Sequence, residues 1–269
     1  MLTDQYRFRR NRTAPLPRRL RLDAAGHSAT GTHHGRNQDR FLVDTQRGLF
    51  LVADGMNGMR GGERAAQMAV DLLPLHPTLL NCESLDNQSV RGQLSQAFLD
   101  VNQEIVLAAE RDPTLYGMGT TAVLGLLAND CFHIASLGDS RAYLLRGGDL
   151  HQYTIDHNLA QTLVTMGAIT RDEAGNHRWR HRLWKHLGAS NLKDGPDVVA
   201  FRVEHGDRVV LVSDGVTEVL NSQALINVLD SHATPAAAAE SLVRAAVASG
   251  TRDDATSVVV NVLDAPLGQ

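Results

Sequence analysis

Six short segments of apolar and β-branched residues recur along this chain, and they limit its possible folds more than any other feature. Each segment is bounded by Gly, Asp or Asn, a pattern that is typical of buried β-strands. The segments are Leu49–Ala53, Thr121–Leu127, Phe132–Leu137, Ala142–Leu145, Arg208–Ser213 and Ser257–Val262. No apolar run reaches the length of a membrane-spanning helix, so the sequence predicts a globular domain with several strands.

Three longer stretches have the periodicity of amphipathic helices instead. Glu63–Leu73, Val90–Ala109 and Pro235–Ser249 each place apolar side chains on one face. Gly250 follows the third stretch, in the position of a helix C-cap glycine. Because strands arrive in clusters and do not alternate strictly with helices, the sequence predicts an α+β fold in which helices pack outside antiparallel sheets.

The net charge is distributed unevenly along the chain. Residues 1–22 carry seven arginines against Asp4, a net charge of +6 that leaves −10 for the rest of a chain whose total is −4. We therefore predict a basic N-terminal tail at residues 1–22 and a single domain at residues 23–265. The tail is either a solvated terminus or a contact for an anionic lipid surface, nucleic acid or an acidic partner. The acidic body argues against nucleic acid as the main ligand.

The cysteines and histidines do not form a recognisable catalytic or metal-binding motif. Cys82 and Cys131 are too few for a disulfide framework and lack the C-x-x-C spacing of zinc sites, which suits a reducing cytoplasm. The sequence contains no H-E-x-x-H motif, no G-x-S-x-G elbow and no Cys-centred nucleophile motif. The chemistry of this chain must therefore rest on other residues.

Acidic residues stand at the ends of four predicted strands. Asp54, Asp139 and Asp214 follow strands, and Asp253 precedes one. A single Asp-Gly turn would be an ordinary hairpin signal. If the four strands are neighbours in one sandwich, however, their ends converge and the carboxylates meet at one edge.

Several carboxylates at one edge repel one another unless a cation neutralises them. Oxygen ligands without Cys or His select a hard ion, Mg²⁺ or Mn²⁺. Two such ions lower the pKa of a bound water and hold the oxygens of a displacement at phosphorus. The acidic strand ends therefore indicate metal-dependent hydrolysis at phosphorus.

An ordered set of motifs resembles the bacterial branch of the PPM/PP2C protein phosphatases, from about Gly26 to Leu263. The motifs are NQDRF (37–41), VADGMNG (52–58), GGERAA (61–66), GMGTTAV (117–123), LGDSRAYLLR (137–146), TIDHNLAQTLVTMGAIT (154–170), VLVSDG (210–215) and RDDATSVVV (252–260). The resemblance implies a four-layer α-β-β-α sandwich with two central antiparallel β-sheets flanked by helices. It also implies hydrolysis of phosphoserine and phosphothreonine on proteins, by water that two Mn²⁺ or Mg²⁺ ions activate.

The metal ligands of the family map onto five positions of this chain. The resemblance implies that Asp54 bridges two metals and that the carbonyl of Gly55 binds the second. Asp214 and Asp253 would complete the shell of the first metal, and these three aspartates would carry catalysis. Asp139 matches the ligand of a third, weaker metal of bacterial members, whose occupancy stays open.

Around these ligands, the chain departs from the family at several positions. The resemblance implies that Asp39 holds waters around the metals, and Gln38 replaces the more usual Glu beside it, so the second metal would be held by less charge. His34 aligns with the phosphate-binding arginine of the family, and Arg36 is close enough in sequence to substitute for it. Asp254 stands where the family usually has Asn, and we assign it no ligand role.

The segment at about 156–194 corresponds to the flap subdomain of the family, which lies beside the active site. Its basic and aromatic stretch from His177 to His186 is either a charged helix face or a surface that receives an acidic or phosphorylated segment of the substrate. Arg178, Arg180 and Arg182 would carry the second role.

The resemblance also implies a phosphorylated protein as partner, namely a Ser/Thr kinase or its target. We expect a cytoplasmic monomer with no nucleic-acid ligand and no membrane span. The main alternative is a pseudophosphatase that binds or regulates a phosphoprotein without turnover, which Gln38 and His34 keep open. A metal-stabilised scaffold anchored through the arginine tail is a third interpretation. The four principal aspartates favour catalysis.

Overall fold

The structure, a computed structural model, describes residues 20–32, 35–56, 61–80, 82 and 85–265. Its strands are β1 (Leu20–Ala29), β2 (Arg40–Asp44), β3 (Leu49–Ala53), β4 (Ala122–Ala128), β5 (Cys131–Leu137), β6 (Arg141–Arg146), β7 (Asp149–Gln152), β8 (Asp197–Arg202), β9 (Arg208–Val212) and β10 (Ala255–Asp264). They form two five-stranded sheets, of order β1-β10-β9-β6-β7 and β2-β3-β4-β5-β8. Each pair of neighbouring strands is antiparallel.

Helices cover the outer faces of both sheets, and two more lie in the connection from β7 to β8. They are α1 (Gly62–Leu72), α2 (Asn87–Arg111), α3 (Leu159–Thr165), α4 (Arg171–Gly175), α5 (Asp214–Thr217), α6 (Ser222–Ser231) and α7 (Pro235–Ala248), with 3₁₀ turns at Pro77–Leu79 and Pro113–Leu115. The side chains of α1 and α2 pack on the second sheet, and those of α6 and α7 pack on the first. The predicted α+β class and four-layer α-β-β-α sandwich are therefore confirmed. None of the helices in the described part combines the length and hydropathy of a membrane span.

The central strands are apolar at nearly every position because both of their faces are covered. In β3, Leu49 and Leu51 pack against the helical layer, whereas Phe50 and Val52 pack between the two sheets. Successive side chains of a strand point to opposite faces, so a strand between two layers needs apolar residues on both. This is why the six predicted segments read as continuous apolar runs, and each of them coincides with a strand.

The three predicted helices are also confirmed, and local side chains fix their ends. Asp86 caps α2 by accepting a hydrogen bond from the Ser89 amide at 2.8 Å. Helix α7 begins with Pro235 in its first turn and is followed by Gly250, whose φ of +85° is the left-handed conformation that ends many helices. The C-cap role predicted for Gly250 is therefore confirmed.

The strands that the sequence pattern missed are β1, β2, β7 and β8, and these are the four edge strands of the two sheets. Strand β1 begins at Leu20, so three residues assigned above to the basic tail lie in a strand. The predicted insertion at about 156–194 falls in the connection from β7 to β8, which crosses between the sheets and contains α3 and α4. Its base is tied to the body by backbone pairing of Leu187 with Thr120.

Candidate metal centre

Loops at one end of the sandwich carry the aspartates that the sequence singled out. Strands β3 and β5 end beside the start of β4, and β9 ends beside the starts of β6 and β10. All of these ends therefore meet at the same edge. The aspartates follow β3, β5 and β9 or precede β2 and β10, at Asp54, Asp139, Asp214, Asp39 and Asp253.

The raised pKa of Asp54 shows that the five carboxylates lie close enough to repel one another. Burial raises the pKa of Asp54 well above its usual 3.8, and repulsion from Asp39, Asp214, Asp253 and Asp139 raises it further. The backbone of Asp54 is fixed, since its carbonyl accepts hydrogen bonds from the amide of Thr121 at 2.9 Å and the hydroxyl of Thr120 at 2.8 Å. The convergence that the sequence predicted therefore occurs.

Asp39 is 3% exposed, and burial raises its pKa from 3.8 to about 7. Hydrogen bonds from Thr256 and Ser213 oppose this rise, and the Ser213 hydroxyl lies 2.8 Å from Asp39 Oδ2. The other carboxylate oxygen, Oδ1, is buried and has no hydrogen-bond partner among the described residues. A buried oxygen of this kind is suited to a water molecule or a cation.

Asp214, which follows β9 of the first sheet, also has a raised pKa. Burial raises its pKa well above the usual value, and repulsion from Asp139, Asp253 and Glu218 adds to the rise. Its Oδ1 atom is likewise buried without a hydrogen-bond partner in the described part of the chain. Asp214 is the first residue of α5, so its backbone is set by the turn that follows β9.

Asp139 lies in the tight turn between β5 and β6, directly after Gly138, whose φ is +101°. Burial raises the pKa of Asp139 to about 7, and repulsion from Asp156 contributes in the same direction. Arg141 opposes the rise only partly, because its guanidinium is engaged by Asp156 at 2.9 and 2.7 Å. Asp139 is thus available to a cation rather than neutralised by this arginine.

Asp254, to which we assigned no ligand role, has a structural one. Its two carboxylate oxygens accept hydrogen bonds from the amides of Gly31 at 2.8 Å and Gln38 at 2.7 Å. The side chain is 1% exposed and contributes to the repulsion felt by Asp39. Asp254 therefore holds the loop before β2 against the start of β10, and it adds negative charge next to the cluster.

Gly55 and Gly215, which follow Asp54 and Asp214, are required by close backbone packing. A Cβ atom on Gly55 would stand 2.5 Å from the carbonyl carbon and oxygen of Gly62 and 2.8 Å from the carbonyl oxygen of Gln38. A Cβ atom on Gly215 would stand 2.1 Å from the carbonyl oxygen of Asp254. The Asp-Gly pairs are thus more than turn signals, because they let the backbone segments around the cluster approach one another.

Three predicted residues precede β2: His34 and Arg36, predicted to bind phosphate, and Gln38, predicted to support the second metal. Gln38 lies beside the cluster, and its Oε1 atom is buried with no hydrogen-bond partner among the described residues. Arg36 is exposed, two residues before Gln38. His34 lies outside the described residues. The structure therefore brings Gln38 to the site, and the roles of Arg36 and His34 stay predictions.

Two further ionisable residues border the cluster: His181, from the stretch predicted to receive the substrate, and Glu218, which the sequence analysis missed. Donor atoms of His181, Asp214 and Glu218 all lie within 4.8 Å of one another, and His181 Nδ1 is 3.1 Å from Glu218 Oε1. Arg180 Nε is 3.7 Å from the same oxygen. Glu218 follows Asp214 by four residues, which places both on one side of a helical turn, and that spacing could have revealed it. The resemblance placed the flap beside the active site, but it did not indicate the contact of His181 with Glu218.

A chain of polar contacts connects the base of the flap to the loop of Asp139. The amide of Gly138 donates to His157 Nδ1 at 3.1 Å, and His157 Nε2 lies 3.2 Å from Asp197 Oδ2. Because Nδ1 accepts, the N–H of the neutral ring is on Nε2, which lies close to Asp197 without the geometry of a hydrogen bond. Lys185 Nζ binds the other oxygen of Asp197 at 2.8 Å, and both partners hold the pKa of Asp197 well below its usual value.

The composition and charge of the cluster fit a hard divalent cation. Its side-chain donors are carboxylate oxygens, two of which are buried without hydrogen-bond partners in the described part, at Asp39 and Asp214. Burial and mutual repulsion raise the pKa of these groups, so a bound cation would relieve an unfavourable concentration of negative charge. The donor set selects Mg²⁺ or Mn²⁺ rather than a metal that prefers nitrogen or sulfur.

An α-β-β-α sandwich that gathers buried aspartates at one end defines a class of metal-dependent hydrolase, and comparison with known proteins identifies the family. A family model described as protein phosphatase 2C matches residues 25–249. The chain is 34% identical over 231 residues to the serine/threonine phosphatase stp of Listeria monocytogenes serovar 1/2a, a match that covers 85% of this chain and 90% of that protein. The chain therefore belongs to the protein phosphatase 2C family.

Solved structures agree with this assignment. The catalytic domain of the serine/threonine protein phosphatase PstP, crystallised with two manganese ions, matches with a TM-score of 0.79 and 30% identity over 91% of this chain and all of that one. Stp1 from Staphylococcus aureus matches with a TM-score of 0.82 and 27% identity over 94% of this chain and 98% of that one. The predicted PPM/PP2C family and the predicted class of enzyme, a metal-dependent serine/threonine protein phosphatase, are confirmed.

Proposed function

We propose that this chain hydrolyses phosphoserine and phosphothreonine on proteins at a binuclear Mn²⁺ or Mg²⁺ centre held by Asp54, the carbonyl of Gly55, Asp214 and Asp253. The observation that carries the proposal is the convergence of five aspartates at the end of the sandwich, where four of them repel the buried carboxylate of Asp54. Family membership supports it, and so does the pair of manganese ions in the related PstP structure. Asp139 would serve a third ion.

In the proposed mechanism, the protein positions the carboxylates, and the bound cations provide the positive charge that activates water. When bound, they neutralise the carboxylates, activate a water and offset the charge of the phosphoryl oxygens. Asp39 orients water through its buried Oδ1 while the Ser213 hydroxyl fixes its other oxygen. Gln38 can hold a second water but contributes no charge. Arg36, together with His34, would bind the phosphate oxygens through charge-assisted hydrogen bonds.

The pseudophosphatase alternative is less well supported than catalysis. It depends on the replacement of a carboxylate by Gln38 and of an arginine by His34, and the resemblance assigns neither position as a metal ligand. All four principal aspartates are retained, and they converge. The relatives with which the chain aligns over most of its length are phosphatases.

We further propose that the enzyme opposes a bacterial Ser/Thr kinase in the cytoplasm and acts as a monomer. The location is supported by the two buried free thiols, Cys82 and Cys131, which suit a reducing compartment. The monomeric state is supported by the site itself, because each carboxylate of the cluster comes from this one chain.

The proposed activity can be tested with the purified protein, a phosphothreonine peptide and an aryl phosphate. After removal of metals with a chelator, neither substrate should be hydrolysed, and added Mn²⁺ should restore hydrolysis of both. A protein that binds the phosphopeptide but releases no phosphate at any Mn²⁺ concentration would be a pseudophosphatase, and the proposal would then be wrong.

A further inference from the structure

The stretch from His177 to His186 contains four cationic side chains and no carboxylate, in a body whose net charge is strongly negative. The structure separates these cations into two kinds. Lys185 is buried and paired with Asp197, and Arg180 lies near Glu218, so both serve the attachment of the flap. Arg178 and Arg182 are exposed, and neither forms an ion pair with any residue that the structure describes.

The backbone around these two arginines is held in place. Helix α4 ends at Gly175, so the stretch is not the charged helix face that was the alternative interpretation. The carbonyl of Arg182 accepts a hydrogen bond from the amide of Leu159 at 3.0 Å, and the guanidinium of Arg178 stacks over the ring of Trp179 at 4.9 Å. A preorganised cationic surface loses less entropy when it binds an anion than a freely moving one does.

His181 brings this stretch of the flap next to the candidate metal centre. His181, which stands directly before Arg182, places its ring within 4.8 Å of the carboxylate oxygens of Asp214 and Glu218. Trp184, two residues after Arg182, leaves 52% of its surface exposed. We call Arg178, Arg182 and Trp184 the flap surface. A peptide with its phosphorylated residue at the metal centre would thus have neighbouring residues within reach of the flap surface.

We propose that the flap surface binds acidic residues that flank the phosphorylated residue of a protein substrate. The proposal rests on the phosphatase function proposed above and names the class of substrate. Two exposed guanidinium groups attract carboxylates, and an exposed indole provides apolar contact to the same segment. A substrate without flanking acids would use only the metal centre.

The test compares the wild-type enzyme with the double variant Arg178→Gln and Arg182→Gln. Three substrates are used with Mn²⁺ present: a phosphothreonine peptide flanked by Asp and Glu, the same peptide flanked by Ser and Gly, and an aryl phosphate. The variant should raise KM for the acidic peptide by about tenfold, with kcat nearly unchanged. The neutral peptide and the aryl phosphate should be hydrolysed as by the wild type. Added salt should reduce the preference of the wild type for the acidic peptide.

The control variant is Arg244→Gln, which removes one exposed arginine from α7 on the outer helical layer. It should leave the kinetics of all three substrates unchanged. Equal losses on the acidic and neutral peptides, or a wild type with no preference between them, would overturn the proposed binding of acidic segments. Absence of hydrolysis of every substrate by the wild type would instead show that the proposed phosphatase function is wrong.

Discussion

The hydroxyl of Ser213 donates a 2.8 Å hydrogen bond to Asp39 Oδ2, and this contact joins the two sheets at the metal end of the sandwich. Ser213 follows β9 of the first sheet, and Asp39 precedes β2 of the second. The same hydroxyl accepts a hydrogen bond from the amide of Thr256 at 2.9 Å. One side chain thus orients a carboxylate of the cluster and fixes the start of β10.

Replacement of Ser213 by alanine should therefore affect both stability and the response to metal. The change leaves the Thr256 amide and one oxygen of Asp39 without this partner, so we expect a loss of about 1–3 kcal/mol in the free energy of unfolding. Loss of the hydrogen bond also raises the pKa of Asp39, so the Mn²⁺ concentration for half-maximal activity should rise. Ser257→Ala is a matched control, because its buried hydroxyl binds the carbonyl of Ala239 and not the cluster. It should lower stability without changing the Mn²⁺ requirement.

The metal-free protein should become less stable as pH rises from about 4 to about 7. The pKa values of Asp39 and Asp139 are raised from 3.8 to about 7, so the folded state retains protons that the unfolded chain has already released. Stability from these protons is complete below the unfolded value and is lost as pH approaches about 7, at about 1.4 kcal/mol for each group and pH unit. Above that range the loss levels off.

Thermal unfolding with a chelator and with Mn²⁺ checks this dependence. In the chelator, the midpoint temperature should fall across this pH range. With Mn²⁺ it should be higher, and the fall should disappear or reverse, because the cation takes the place of the protons. The same decreasing curve with and without Mn²⁺ would mean that the cluster does not bind the metal.

Gln38→Glu should strengthen metal binding at the cost of stability without metal. The added carboxylate lies beside the cluster, where the buried Oε1 atom of Gln38 has no hydrogen-bond partner among the described residues. We expect a lower Mn²⁺ concentration for half-maximal activity and a lower melting temperature in a chelator. Gln88→Glu, on the exposed first turn of α2, makes the same change of charge away from the site and should leave the Mn²⁺ requirement as it is. An unchanged requirement in Gln38→Glu would remove Gln38 from the metal site.

Gly55→Ala should reduce both activity and stability, because its Cβ atom would overlap backbone atoms of Gly62 and Gln38. Overpacking of this kind costs about 1–3 kcal/mol and displaces the segment that carries Asp54.

Gly92→Ala provides the contrast, since the new Cβ atom has no neighbour within 4 Å and the position lies inside α2. That variant should be stabilised by about 1 kcal/mol and keep wild-type activity. Chemical denaturation and an aryl-phosphate assay measure both effects, and wild-type behaviour of Gly55→Ala would contradict the close packing.

The sequence predicts the centre of this fold well and its edges poorly. Strands β3, β4, β5, β6, β9 and β10 are covered on both faces or nearly so, and their continuous apolar composition reveals them. Strands β1, β2, β7 and β8 lie at sheet edges and carry partly exposed side chains, such as Arg21 and Asp23 in β1. Their pairing depends on neighbours distant in sequence, which local composition does not encode.

The residues of the candidate site also divide into those that the sequence reveals and those that only the structure shows. Asp54, Asp139, Asp214 and Asp253 could be found because each adjoins a strand whose apolar character is plain in the sequence. The contact of His181 with Glu218 could not, because it depends on how the connection from β7 to β8 folds back over α5. The structural role of Asp254 was equally hidden, since its partners at Gly31 and Gln38 lie more than 200 residues earlier in the chain.

The most direct test of the metal centre is the Mn²⁺-dependent hydrolysis of a phosphothreonine peptide by Asp214→Asn, measured beside the wild type. Asparagine preserves the shape of the side chain but removes a carboxyl group whose ionisation is opposed by desolvation and by neighbouring carboxylates, so the variant should fold and should melt at a higher temperature than the wild type in a chelator. Its turnover should fall at least about a hundredfold, and its melting temperature should rise less on addition of Mn²⁺. Turnover near the wild-type rate, with an undiminished response to Mn²⁺, would contradict the assignment of Asp214 to a catalytic metal.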